Sequence, residues 1–432
     1  MNRIFHLILI LIIFNSCSLN NESRIWNKKD KNLIEKKNIK IILTKEKEYS
    51  DEFNPKLNVD LSKIKFKNNI YNLQNNFGSS DYPGLLTENK NFKFSKFKDS
   101  EQLNFKPLFL DSGLIFFDNS GSIIRYDNNQ KVIWKKNYYT KSEKKKSPKL
   151  AFLKNNKNLV VIDDVAKFYS ININTGELIW SKTNDYPFNS ELKIFKDKFF
   201  AIDYKNIIRC FNLEDGSECW NFQTENTLMM SGSKYSMIIE NNTIIFNNSV
   251  GDITAIDIFS GLIMWQLPTQ SSRINNETYI FKNSKLVSDG KSIYLSNNKN
   301  EFFSIDLKTG TLNWTNKVNS SLTPVLINNL IFTISLDGYL FTIDKTQGNI
   351  LRVNDIYKNY KIKNRKKVKP VGFSIGQNKL FLSNSDGKMI IINLSSGNVI
   401  KTEKISGSII SEPFIHNGNL FVIKNGSVIK YN

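Results

Sequence analysis

The sequence predicts an all-β chain folded as an eight-bladed β-propeller of four-stranded antiparallel blades. Three observations lead there. A Gly-x-x-x-Trp spacing recurs along the chain, a second turn anchor recurs eight times at separations of 38 to 49 residues, and the apolar runs between them are short and β-branched. Repeats of this length, each holding four short strands, mark a propeller, whereas stacked helical repeats would need a 3.6-residue periodicity.

The first anchor is read by alignment on its glycine. "INTGELIW" carries Gly176 and Trp180, "LEDGSECW" Gly216 and Trp220, "IFSGLIMW" Gly261 and Trp265, and "KTGTLNW" Gly310 and Trp314. Gly348 and Gly397 follow the pattern, but Arg352 and Lys401 stand in the Trp place. Trp134 ends a copy that is one residue shorter and lacks the glycine. An Asp or Asn sits four residues before each glycine, at Asn172, Asn212, Asp257, Asp306, Asp344 and Asn393, with Asp127 in the short copy. Six residues further back lies the second anchor, Gly121, Ala166, Asn206, Gly251, Asn300, Gly338 and Gly387, and Gly426 with Asn432 repeats that spacing at the end of the sequence.

Physical chemistry gives each position a task. The Asp or Asn bonds the backbone amides of the turn between a blade's third and fourth strands, and the glycine takes the left-handed conformation that closes it. Asp306 is therefore a turn residue. The Trp on the outer strand lies against the neighbouring blade, burying a wide ring and offering its N–H as a donor. The junctions after the sixth and seventh blades, with Arg352 and Lys401, are expected to be the looser part of the ring.

The last copy stops at its third strand, so a strand from the N-terminal side must complete it and remove an exposed edge. The expected closing strand is "NFKFSKFK", Asn91 to Lys98, with Phe94 or Phe97 in the Trp role. The propeller then spans 69–432.

Ahead of it, Arg3 and the eight-residue apolar run Leu7 to Phe14 form a signal-like start, too short to span a bilayer as a helix. "FNSC", Phe14 to Cys17, resembles a lipobox, with Phe14 where Leu is usual. The resemblance implies a signal peptide over 1–16, a lipidated Cys17 and an anchor of acyl chains. An ordinary cleaved signal with an incidental Cys is the alternative. Ser18, in place of an Asp, favours the outer membrane, on its periplasmic face. Residues 17–68 read as a Lys- and Asn-rich flexible tether.

The repeat resembles the pyrroloquinoline-quinone-type propeller repeat. Together with the lipobox, the tether, eight blades and the terminal "PFIHNGNLFVIKNGSVIKYN", it looks like the BamB family of lipoproteins in the outer-membrane β-barrel assembly machinery. That resemblance implies a non-catalytic, monomeric scaffold without a cofactor. Its partners would be the POTRA domains of BamA, other subunits of the machinery and unfolded outer-membrane proteins. The family's partner loop falls by position on "TLMMSGSK", Thr227 to Lys234, where Leu228, Met229 and Met230 suit an adaptable apolar contact. They could equally form the inner strand of that blade.

Quinone-dependent dehydrogenases share the repeat and are the rival class. They typically use adjacent cysteines and a calcium site. This chain has no adjacent Cys pair, His416 is its one histidine after the signal segment, and it carries no Gly-x-Ser-x-Gly. It is read as a non-enzyme without a metal. The other alternative is a propeller lipoprotein that binds a different envelope partner. Cys210 and Cys219 face each other if the hairpin turns at Leu213 to Gly216, which allows a disulfide in an oxidising compartment or two unlinked thiols.

The net charge is +20. Lys135 to Lys149 holds seven Lys against one Glu, and Lys358 to Lys369 holds seven basic residues and no acid. Both stretches connect an outer strand to the next blade, so both should emerge on one face, which would attract anionic headgroups or an acidic partner. Nucleic acid is not an expected partner behind an export signal.

Overall fold

Each blade is an antiparallel meander, because turn residues interrupt the chain after strands of two to seven residues. The structure, a computed structural model, describes residues 51–61, 79–80, 82–84, 86–225, 233–269 and 281–432. The segment 1–16, Cys17 and the tether up to residue 50 lie outside the described residues.

The blades run in chain order as Leu108–Lys136, Leu150–Thr183, Lys193–Gln223, Met237–Leu267, Val287–Asn316, Val325–Asp355, Pro370–Lys404 and Phe414–Tyr431. The eighth has only three strands of its own and is completed by Glu88–Lys93, antiparallel to Ser427–Tyr431. A short strand, Ser79–Ser80, adds to the seventh blade in parallel with Ile375–Gly376. The closing strand thus lies three residues upstream of the expected Asn91 to Lys98. Phe94 and Phe97 fall beyond it and pack against Phe116, with ring centroids at 5.2 and 6.0 Å.

Middle strands are apolar almost without alternation, as in Gly113–Phe117 and Thr243–Asn247, because each is covered by blades on both sides. Outer strands are covered on one side only, so Leu178–Thr183 is largely exposed apart from Trp180.

The turn between the second and third strands uses the second anchor in all eight blades. Gly121, Ala166, Asn206, Gly251, Asn300, Gly338, Gly387 and Gly426 all have φ between +61° and +96°. Three residues earlier stands a side chain that accepts the turn's amides. Asp118, Asp163, Asp203, Asn248 and Asn297 do so in the first five blades. Asp163 is buried and also accepts from the Tyr139 hydroxyl at 2.5 Å. Burial pushes its carboxyl up from 3.8 to about 6.

The other turn explains the Asp-Gly-Trp spacing. In the fifth blade, Asp306 accepts from the Lys308 and Thr309 amides at 3.0 and 2.9 Å, and Gly310 sits at φ +71°. A Cβ on Gly310 would lie 2.5 Å from the ring of Trp265, from the preceding blade. The same holds for Gly176 and Trp134, Gly216 and Trp180, Gly261 and Trp220, and Gly348 and Trp314. Each indole N–H also donates to the carbonyl three residues before that glycine, Ile173, Leu213, Ile258, Leu307 and Lys345 in turn, at 3.1 to 3.2 Å.

Arg352 corrects the expectation of a loose sixth junction. Its side chain is 0% exposed, and it donates to the Leu394 carbonyl at 2.9 Å, the counterpart of the acceptors used by the indoles. It donates further to Leu57 at 2.8 Å, to Ser395 and to the Thr342 hydroxyl. Leu57 belongs to the stretch expected to be flexible tether. Residues 51–61 instead lie along this junction, with Phe53 bridged to Val353 and with Val59 and Leu61 in the hydrophobic cluster of blades six and seven.

Lys401 has no such role. It is exposed and pairs with Glu403 on its own strand, because the eighth blade takes its fourth strand from Glu88–Lys93 and has no turn between third and fourth strands to receive it. The fully buried Tyr82 covers this junction, packing on Phe381 at 5.1 Å and donating to the Asn432 carbonyl at 3.1 Å. At the ring closure the Trp register falls on Lys90, opposite Lys430, and its ammonium donates to the Asn128 carbonyl in the first blade. That corrects the assignment of Phe94 or Phe97 to this role.

Two outcomes are expected. Arg352→Met leaves the buried Leu394 carbonyl without its side-chain donor, while the Ser395 carbonyl keeps the Val59 amide, and should cost about 2–4 kcal/mol in chemical denaturation. Trypsin cleavage at Lys56 should accelerate in that variant, and unchanged cleavage would refute the link. Asp163 has a folded pKa above its unfolded value, so the stability it contributes is full below about pH 4 and is lost as the pH rises through about 6. Asp163→Asn should therefore remove that slope and stabilise the chain at pH 7.5 by on the order of 1–3 kcal/mol. Equal slopes in the two proteins would count against it.

Candidate functional site

Four antiparallel strands bring every blade-to-blade connection to the same face as the turns at the second anchor. Both Lys-rich connections lie there. Each contains a single helical turn, Lys141–Lys145 and Ile362–Arg365. The first starts on a capping box of Thr140 and Glu143. Several of the cations are paired: Lys135 with Asp118 at 2.6 Å, Lys149 with Glu101 at 2.5 Å, Arg365 with Asp355 at 2.5 Å and Lys369 with Asp337 at 3.5 Å. Lys141, Lys145, Lys146, Lys361, Lys363, Lys366 and Lys367 are exposed and keep this face basic.

The connection between blades three and four also emerges here. Leu228, Met229 and Met230 lie outside the described residues. The inner strand of the fourth blade is Met237–Glu240, which corrects the reading of those three residues as that strand. Lys234, at the end of the same connection, reaches across to the first blade, with its ammonium 3.2 Å from the centre of the Phe105 ring.

On the opposite face, outer strands expose apolar side chains beside the Asp-x-x-x-Gly turns. The fourth blade is the richest, with Phe259, Leu262, Ile263 and Met264 all about half exposed or more. A cleft between blades eight and one is lined by Phe109, Asp111, Asn128, His416 and Lys430. His416 stacks on Phe109 at 5.1 Å, and burial lowers its pKa below the usual 6.5. No group of three or more His, Cys, Asp or Glu side chains placed to hold a metal occurs among the described residues.

Cys210 and Cys219 sit beside each other in the third blade, with Cα atoms 5.2 Å apart and their sulfurs joined. Their register differs from the expected one. A bulge pairs Cys210 with Trp220 and Phe211 with Glu218, so Cys219 is the extra residue.

Eight four-stranded blades, with indoles wedged at five of the junctions, define a propeller of the pyrroloquinoline-quinone-like repeat class. Within that class, the family described as outer membrane protein assembly factor BamB matches residues 119–354, more than half of the chain. The chain belongs to that family. Curated relatives include an outer membrane protein assembly factor BamB of Moranella endobia, 21% identical over 284 residues, which cover 62% of this chain and 68% of that one. Another, of Taylorella asinigenitalis, is 22% identical over 213 residues, 48% of this chain and 53% of the relative. An uncharacterized protein of Rickettsia prowazekii is 20% identical over 333 residues, 73% of this chain and 78% of that one. Among solved structures, BamB from Moraxella catarrhalis superposes with a TM-score of 0.64 at 17% identity, over 81% of this chain and all of that one. A europium-containing methanol dehydrogenase superposes with a TM-score of 0.61 at 9% identity, over 81% and 88% of the two chains. At these identities the superpositions establish the fold alone.

Alkylation of unreduced protein checks the cysteine pair. Cys210 and Cys219 should resist the reagent before reduction and react after it, even in denaturant. Two labelled cysteines in the unreduced protein would overturn the bond.

Proposed function

We propose that this chain is a non-catalytic scaffold of the outer-membrane β-barrel assembly machinery. It binds the periplasmic domains of BamA and helps unfolded outer-membrane proteins fold and insert. Lipid on Cys17 would hold it to the membrane, with the ring in the periplasm. The observation that carries this reading is the family match across 119–354, which falls on repeats that form intact, mutually wedged blades. A rigid ring of that kind suits scaffolding, since it presents loops and outer strands at fixed separations.

The quinone-dependent alternative rests on fold alone, and fold does not imply chemistry. Lys285 pairs with Glu191 and Glu412 at the axis of this ring, and the sequence has no adjacent Cys pair.

The test is co-purification from detergent-solubilised membranes of cells expressing a tagged chain. BamA should be recovered with it at near-equal amounts, and outer-membrane barrel proteins should fall in abundance when the chain is depleted. Recovery of a different envelope protein without BamA would sink the proposal.

A further inference from the structure

The innermost strands place one residue of each blade at a common level around the axis, five positions before the turn that follows. Around the ring these are Lys106, Ala151, Glu191, Ser236, Lys285, Thr323, Gly372 and Glu412. Four of the eight are charged, and the charges alternate in sign from blade one to three to five to eight.

They meet at the axis. Lys285 of the fifth blade lies 2.7 Å from Glu191 of the third and 3.4 Å from Glu412 of the eighth. One ammonium thus ties together three blades on different sides of the channel. Gly372 matters here, because a Cβ on it would lie 2.4 Å from Cβ of Glu412. Two more cations join this set. Lys193 is on the same face of the third blade's inner strand as Glu191, two residues on, and Lys234 comes from the connection into the fourth blade. Among the described residues, the axial cluster therefore holds four lysines, Lys106, Lys193, Lys234 and Lys285, and two glutamates.

Water reaches this cluster. The side chains of Lys285, Glu191 and Glu412 keep 36%, 33% and 29% of their surface accessible although they lie inside the ring. The channel opens toward the face that carries both Lys-rich connections, so the approach is basic as well.

We infer that the axial channel is a binding site for a compact, doubly charged oxyanion of the phosphate type, held by Lys106, Lys193, Lys234 and Lys285. Two negative charges balance the excess of two lysines over glutamates. Ammonium groups arriving from several blades suit a tetrahedral anion, because each is a compact point charge on a flexible stem. Glu191 and Glu412 compete with the ligand, which sets the affinity and excludes singly charged anions such as chloride.

The protonation states of the cluster agree. Burial, and then the Lys285 charge, push Lys106 down to about 8, and burial pushes Lys234 down to about 7. Lys193 is lowered by burial too, while Lys285 is raised through Glu191 and Glu412 against its burial. Asp164 and Lys149 also face Lys234 from the channel mouth. A dianion would restore the charge on Lys106 and Lys234, so binding at pH 8 must take up protons.

The experiment uses the full chain and inorganic phosphate, with sodium chloride at matched ionic strength as reference. Wild type should show phosphate-dependent thermal stabilisation beyond chloride. Calorimetry at pH 8 should give an enthalpy that varies with the buffer's ionisation heat, reporting proton uptake. Lys193→Met with Lys234→Met, which spares the Lys285 ion pairs, should weaken phosphate binding by about tenfold or more. Glu412→Gln should tighten it severalfold. Vesicles of phosphatidylglycerol should bind wild type and the double variant alike, since a bilayer cannot enter the channel. No stabilisation beyond chloride, equal phosphate affinity in the double variant, unchanged or weaker binding in Glu412→Gln, absence of proton uptake, or vesicle binding that depends on Lys193 and Lys234 would each overturn the assignment.

Discussion

The ring depends on one contact made between neighbouring blades. At seven of the eight junctions a donor at a fixed place on the outer strand reaches the first carbonyl of the next blade's turn, and at six of these a glycine at φ near +70° leaves the space the donor crosses. Five indoles make it among the described residues. Trp134 is buried and the other four are half-buried, so the roughly 3–5 kcal/mol typical for truncating a buried aromatic ring to Ala is the upper end for this contact. The Asp, the glycine and the Trp are parts of one device, because the carboxylate shapes the turn, the glycine clears it and the indole fills it. What the position requires is a long donor more than an indole, and Arg352 and Lys90 meet that requirement with the same carbonyl.

The N-terminal part of the chain follows from the same constraint. Residues 51–61 lie on the sixth junction, Tyr82 fills the seventh and Glu88–Lys93 completes the eighth blade. These are the junctions at which no Trp is present. A junction without an indole has uncovered apolar surface, and these segments supply the cover. The fourth strand of the last blade is Glu88–Lys93, from the N-terminal side, so no turn joins its third and fourth strands for Lys401 to enter. A charged side chain there is free to face water, and it does.

The same architecture superposes on an assembly factor and on a methanol dehydrogenase with nearly the same score. Fold alone therefore fixes no role, which has to be argued from particular residues such as those at the axis and in the connections. In this chain those residues are basic. Lysines dominate two connections on one face, and four more enter the channel that opens there. The glutamates among them keep the cluster from repelling itself apart, and Lys285 converts the remainder into a tie across the ring.

Repeat number, blade boundaries and the identity of Asp306 as a turn residue were legible in the sequence, because each depends on local spacing and on the conformations open to Gly, Asn and Asp. So was the need for a closing strand, since the last repeat lacks one. The position of that strand was not legible. Phe94 and Phe97 looked like wedge residues by composition, yet register gave the place to Lys90, and register is set by pairing with a strand more than 300 residues away. The bulge at Cys219 and the burial of Arg352 escaped for a similar reason. The axial cluster was hidden most completely. Its residues lie dozens to hundreds of positions apart, and a lone Lys or Glu at the start of a strand carries no local signal. Sequence alone determined how each blade is built, since a blade is a matter of neighbours along the chain. Only the closed ring decided what meets at the axis and at the junctions, because long-range burial and charge pairing arise when blades remote in sequence are brought together.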